Sequence, residues 1–142
     1  MNIHLDNVNL GSTSGPNSFA GKLVKYSDCT FDPSSSPDAY LSFIETHRTA
    51  FDAPMYQRVD GIYFNTKGDY NAQNANIRRT YGLADGVIFQ SEFNKKLTTK
   101  YFGEHPNTTV IHNGADIELI ENTKPLEHSI IDSYENVWSC AS

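Results

Sequence analysis

The sequence predicts an α/β fold: a single Rossmann-like domain whose mostly parallel sheet is flanked by helices. Three observations predict it. Short β-rich runs alternate along the chain with segments whose apolar residues recur at helical spacing, the order that builds parallel sheets. "DGVIFQS" places Val87, Ile88 and Phe89 in one continuous apolar run, as in a strand buried on both faces. Helix punctuation is also in place, with Pro16 suited to a first helical turn and Ser91 and Gly103 bracketing a third helical segment.

In chain order, Ile3, Leu5 and Val8 in "NIHLDNVNL" read as the first strand. Phe19, Leu23 and Val24 share one face of a helix over 16–26, and "DPSSSP" at 32–37 is a loop by composition. "AYLSFIE" (39–45) and "PMYQRVDGIYF" (54–64) are β-rich, and "NAQNANIRRTYGLA" (71–84) brings Ile77, Thr80, Tyr81 and Leu83 roughly into helical phase. The Val87–Phe89 strand follows. Then comes a helix with Phe93, Leu97 and Tyr101 in phase, and a β run "NTTVIHNGAD" ending in an Asn-Gly turn. Right-handed crossovers are expected between the parallel strands.

Composition excludes several classes. The chain of 142 residues carries 17 acidic against 11 basic side chains, a net charge of −6, which gives no electrostatic footprint for nucleic acid. No apolar run approaches membrane-spanning length, and the N-terminus lacks the basic-then-apolar order of a secretory signal. Cys29 and Cys140 are too far apart in sequence for a compact metal-ligand motif, and no histidine pair has ligand spacing. No resident metal or cofactor is expected, and a reduced, cytoplasmic compartment is the default.

Ligands of such sheets bind beyond the carboxyl ends of the strands, which selects the candidate residues. "GSTSG" (Gly11, Ser12, Thr13, Ser14, Gly15) offers backbone N–H groups and hydroxyls before a helix N-terminus, where partial positive charge favours anions. Its spacing meets neither nucleotide-binding glycine fingerprint. In "QRVDG", Arg58 can hold a carboxylate or phosphate and Asp60 can orient a hydroxyl, or the two form an ion pair before a glycine turn. Ser91, Asn113 and Gly114 also follow strand ends, and His47 after the second β run is the histidine best placed for a site.

Assembled, "NVNLGSTSGPNSFAGKL", "QRVDGIYFN", "NIRRTYGLADGVIFQSEFNKKLTTKYFG" and "TTVIHNGAD" resemble the N-terminal half of a retaining, family-4-like glycosyltransferase of the GT-B fold. The resemblance covers most of residues 1–117 and implies a Rossmann-like, acceptor-side domain, with 118–142 as linker and start of a C-terminal donor domain. It implies metal-independent transfer of a sugar from a nucleotide-sugar to a hydroxyl of a saccharide acceptor. The Gly11–Gly15 loop would lie near donor phosphates or the transferred sugar. Arg58 and Asp60 would lie on the acceptor side, with Asp60 positioning the acceptor. In that family a C-terminal domain supplies most of the basic donor-binding groups, and after Glu121 the only Lys or Arg here is Lys124. The expectation is therefore weak donor binding by this chain alone, with a donor domain on a separate chain or a homo-oligomer as partner. The competing expectation is a stand-alone Rossmann-like binding or assembly module.

Overall fold

The computed structural model describes residues 1–12, 14–65, 67–124 and 133–136. The Val137–Cys140 run and Thr13 lie outside the described residues. The fold is α/β: β1 (Ile3–Asp6), α1 (Gly15–Tyr26), β2 (Ala39–Phe43), β3 (Met55–Val59), α2 (Tyr70–Leu83), β4 (Gly86–Phe89), α3 (Glu92–Phe102), β5 (Thr108–Val110) and α4 (Ile117–Asn122). The five strands form one all-parallel sheet in the order β1-β2-β3-β4-β5.

Local chemistry explains the helices. Pro16 sits in the first turn of α1, where its missing N–H leaves no bond unmade. The Asp69 carboxylate accepts from the Asn71 and Ala72 amides to open α2. The Ser91 hydroxyl accepts from the Asn94 amide at 3.1 Å to open α3, and Gly103 closes that helix at φ 95°, a conformation open to glycine.

Each face of the sheet has its own core. On one face Val59, Val87 and Phe89 pack with Ile77 and Tyr81 of α2 and with Leu97 and Phe102 of α3. On the other, Leu41 and Phe43 pack with Phe19, Ala20 and Leu23 of α1, joined by partly buried Ile3, Leu5 and Ile88. Val87 and Phe89 are fully buried because α2 and α3 cover the face of β4 to which both side chains point.

α1 thus lies on the opposite face from α2 and α3, yet the strand order advances in one direction throughout. Direct crossovers of a single hand cannot produce both. Thr30 resolves the conflict. It bridges Asn2 in parallel, its N–H donating to Met1 O at 3.0 Å and its carbonyl accepting from Ile3 N at 2.9 Å. Those groups point away from β2, which instead donates from Asp38 and Ala39 to Asn2 O. α1 therefore delivers the chain to the outer edge of β1, and that step has the same hand as the α2 and α3 crossovers. The chain then returns past the amino end of β1. The Asn2 amide donates to the Asp32, Ser35 and Ser36 carbonyls along the way, and His4 Nε2 meets the Asp32 and Ser35 carbonyls.

In this return loop the Ser34 and Ser35 hydroxyls and the Ser34 amide donate to Asp32 and lower its pKa from the ordinary 3.8 to about 2. A depressed carboxylate stabilises the fold above its ordinary pKa, and that contribution is lost as pH falls through the folded value. Ser34→Ala is expected to move the Asp32 titration midpoint up toward the ordinary range, as read by carboxyl-carbon NMR. An unmoved midpoint would contradict the assignment of cause.

Strands stop earlier than their sequence pattern: β1 ends at Asp6, short of Val8, with Asn7 at φ 59°, and β5 ends at Val110. β2 ends at Phe43 because Ile44 has φ 67°, a left-handed conformation that costs a β-branched residue about 1–2 kcal/mol. Three bonds hold that corner: Gln57 Nε2 donates to Ile44 O at 2.6 Å, Ile44 N to Arg58 O at 2.8 Å, and Asn7 Nδ2 to Phe43 O at 2.9 Å. β3 ends at Val59, and residues 60–64 run on as irregular chain. α4, which the sequence pattern did not show, begins at the last residue of the 1–117 segment. Tyr26 Oη donates to Asp116 and Lys25 pairs with Glu118, so it is tied back to α1.

Candidate functional site

All five strands point their carboxyl ends to one edge of the sheet, and the irregular chain leaving β3 crosses that edge. Two depressions share Asp60, Gly61 and Ile62 as a common rib. One, of about 410 Å³, is lined by Phe64, Gln90, Ser91, Phe93, His112 and Asn113 among others. The second, of about 480 Å³, lies toward Asn7, Glu45 and Gln73. The rib is braced from below. Buried Asn74 of α2 accepts from Tyr63 N at 2.9 Å and donates to Tyr63 O at 2.7 Å, in effect replacing a strand partner. With its backbone fixed there, the neighbouring Phe64 remains 40% exposed.

Arg58 organises the floor. It is 4% exposed, and its guanidinium carbon stands 4.0 Å from the Phe19 ring centre and 5.5 Å from that of Phe43. Nη1 pairs with Asp60 Oδ1, and Nη2 donates to Asn113 Oδ1 at 3.0 Å. Asn113 Nδ2 in turn donates to Gln90 Oε1 at 2.6 Å. One chain of contacts thus links α1, β3 and the segments that follow β4 and β5. The guanidinium lies against aromatic rings and is neutralised by Asp60, so it works as an internal strut and presents no open cation to a ligand anion.

The structure brings Arg58, Asp60, Ser91 and Asn113 together at this edge. Ser91 also serves as the α3 cap, so its oxygen already accepts a backbone amide and its hydroxyl hydrogen is what it can offer. Gly114 follows Asn113 with open space where a Cβ would stand. The Gly11–Gly15 loop precedes α1 at the same end of the sheet, but it bonds to itself. Gly11 N donates to Asn9 Oδ1 at 3.0 Å, Ser12 N to Asn9 O at 3.0 Å, and Ser14 N to Ser12 Oγ at 3.3 Å. An anion at those three amides would have to displace these partners. His47 is exposed on the segment after β2 and lines neither depression.

Sequence reasoning missed Gln90, Phe64 and Phe93. Phe93 reads as a core position by its spacing with Leu97 and Tyr101, but it is 68% exposed because it lies in the first turn of α3, over the depression. Tyr63 and Phe64 read as strand. Their signal was the aromatic pair directly before the turn-forming "NTKGD".

Among the described residues there is no group of three or more His, Cys, Asp or Glu that could hold a metal ion, and no helix is long and apolar enough to cross a membrane. Comparison of this chain with family models, curated proteins and solved structures returns no match.

Proposed function

We propose that the carboxyl-end cleft binds a saccharide, and that the chain is the acceptor-side domain of a nucleotide-sugar-dependent glycosyltransferase. One observation carries the reading. The cleft combines two exposed aromatic faces, Phe64 and Phe93, with the Gln90 and Asn113 amides, the Ser91 hydroxyl and the Asp60 carboxylate. A neutral, hydroxyl-rich ring with one apolar face suits that set, since aromatic surface covers the C–H face and the polar groups orient the hydroxyls. A diphosphate suits it less, because desolvated phosphate needs charge-assisted donors and Arg58 is already committed to Asp60.

In this reading Asp60 Oδ1 is held by Arg58, and Oδ2 accepts the hydrogen bond of the acceptor hydroxyl and orients it for transfer. The donor's phosphates are gripped chiefly by another body, a second domain or a separate chain. The commitment of Asp60 to Arg58 also favours a second reading, a binding module without catalysis. Product formation from a nucleotide-sugar separates the two.

The test is amide-detected NMR titration of the 142-residue chain with panels of oligosaccharides and nucleoside-diphosphate sugars. The expected result is saccharide-induced shifts confined to residues around Asp60, Gln90, Phe93 and Asn113. Phe93→Ala should weaken that binding about tenfold, the effect of roughly 1.4 kcal/mol. Shifts from phosphate-bearing ligands alone, or from neither panel, would sink the saccharide reading.

A further inference from the structure

The face of the sheet beneath residues 44–48 carries a row of polar side chains that the cleft does not use. Asp6 of β1, Ser42 of β2 and Gln57 of β3 are paired in register across three adjacent strands, so their side chains stand side by side on one face. Ser42 and Gln57 are fully buried. Asp6 Oδ2, Ser42 Oγ and Gln57 Oε1 are each buried with no hydrogen-bond partner. Each isolated orphan destabilises the fold, and three in a line call for a common explanation.

The hydrogen count narrows it. Gln57 spends its amide donors on Ile44 O at 2.6 Å and Ile77 O at 3.1 Å, which also fixes which end of the amide is oxygen. Asp6 Oδ1 takes Arg48 Nε at 3.4 Å. Asp6 Oδ2 and Gln57 Oε1 can only accept, and between them stands the single hydrogen of Ser42. Two acceptors cannot both be satisfied by it. The three oxygens make no direct bond with one another, and neighbouring strands lie about 4.8 Å apart, a spacing matched to two bonds through one bent bridge.

We propose that this row is a buried hydration site, in which ordered water bridges Asp6, Ser42 and Gln57 across β1, β2 and β3. One water between β1 and β2 donates to Asp6 Oδ2 and accepts from Ser42 Oγ, and a second between β2 and β3 donates to Gln57 Oε1 and to a lone pair of Ser42 Oγ, each with the two-to-four polar partners that a buried water takes. The site is closed from above by the segment after β2, where buried Thr46 donates its N–H to Thr80 Oγ1 of α2 at 3.0 Å. It therefore ties the far side of the Gln57 amide, whose near side holds the left-handed Ile44 corner of the cleft, into the sheet.

A crystal structure of the 142-residue chain, at a resolution that shows solvent, tests it directly. The expected result is a density peak about 2.6–3.2 Å from at least two of the three oxygens. Direct bonds among the side chains would overturn the proposal, as would a peak with six or more oxygen neighbours at about 2.3–2.6 Å, which is a cation. Ser42→Ala gives a second, independent measurement. With bridging water, loss of the hydroxyl lowers the melting temperature by about 3–5 °C. With a true orphan, the melting temperature stays or rises, and that outcome also overturns the proposal.

Discussion

Arg58→Ala is expected to remove about 3 kcal/mol of unfolding free energy, read as a lower urea midpoint at constant slope. Three losses add. Asp60, whose side chain is 19% exposed, is left as a mostly buried carboxylate without its counter-charge. Asn113 loses the donor to its Oδ1, and the Phe19 ring loses the cation above it. The partial exposure of Asp60 keeps the figure at the low end of the range for a broken buried pair. Adding Asp60→Asn should return 1 kcal/mol or more, on the order of a direct coupling, because it removes the stranded charge. Arg58→Lys should recover little, since a single ammonium cannot reach Asp60 and Asn113 as a planar fork does. A loss below about 0.5 kcal/mol would mean that the guanidinium is not the strut of this cleft.

Phe89→Ala is expected to cost about 3–5 kcal/mol, the usual range for deleting a buried aromatic ring. Phe89 is 0% exposed at the carboxyl end of β4 and packs among Val59, Ile77, Tyr81 and Val87. Against a typical total of about 5–15 kcal/mol, such a loss leaves a measurably populated unfolded state. Phe89→Leu retains most of the volume and should cost under about 2 kcal/mol. Urea unfolding followed by far-ultraviolet circular dichroism reads both. Equal losses for the two variants would show that the packing at this site does not depend on the volume removed.

The helices were legible because their boundaries are written locally. Ser91 and Gly103 terminate α3 by bonds within a few residues, and Pro16 opens α1 through its own ring. β4 was legible because its apolar run serves both faces, Val87 and Phe89 entering one core and Ile88 the other. The ends of β2 and β3 were not. "AYLSFIE" continues as strand by propensity, and only partners distant in sequence, Gln57 and Arg58 after it and Asn7 before it, hold the left-handed turn at Ile44. "VDGIYF" likewise reads as strand, and only Asn74 of α2 gives Tyr63 the backbone partners that let the chain leave the sheet. α4 escaped notice because a six-residue helix has too short a period to detect, and its cap Asp116 reads equally well as part of a turn.

At the candidate site the sequence marked Arg58, Asp60, Ser91 and Asn113 by a single rule, that ligands gather at strand carboxyl ends. That rule needs only the alternation of strands and helices, which apolar spacing determines. It could not say that Arg58 faces inward, because one arginine in "QRVDG" fits a surface pair and a buried strut equally well. Phe19, fixed on α1 thirty-nine residues earlier, decides it by lying beneath the guanidinium. The sequence by itself thus determined the strand–helix order from β1 to β5 and the parallel sheet that gathers the strand carboxyl ends at one edge, because those follow from local periodicity and capping. The tertiary structure alone decided the route of the chain through Thr30 to the outer edge of β1, the neutralisation of Arg58, and the exposure of Phe64 and Phe93. Each of these depends on a partner distant in sequence, and no local pattern encodes which distant residue will arrive.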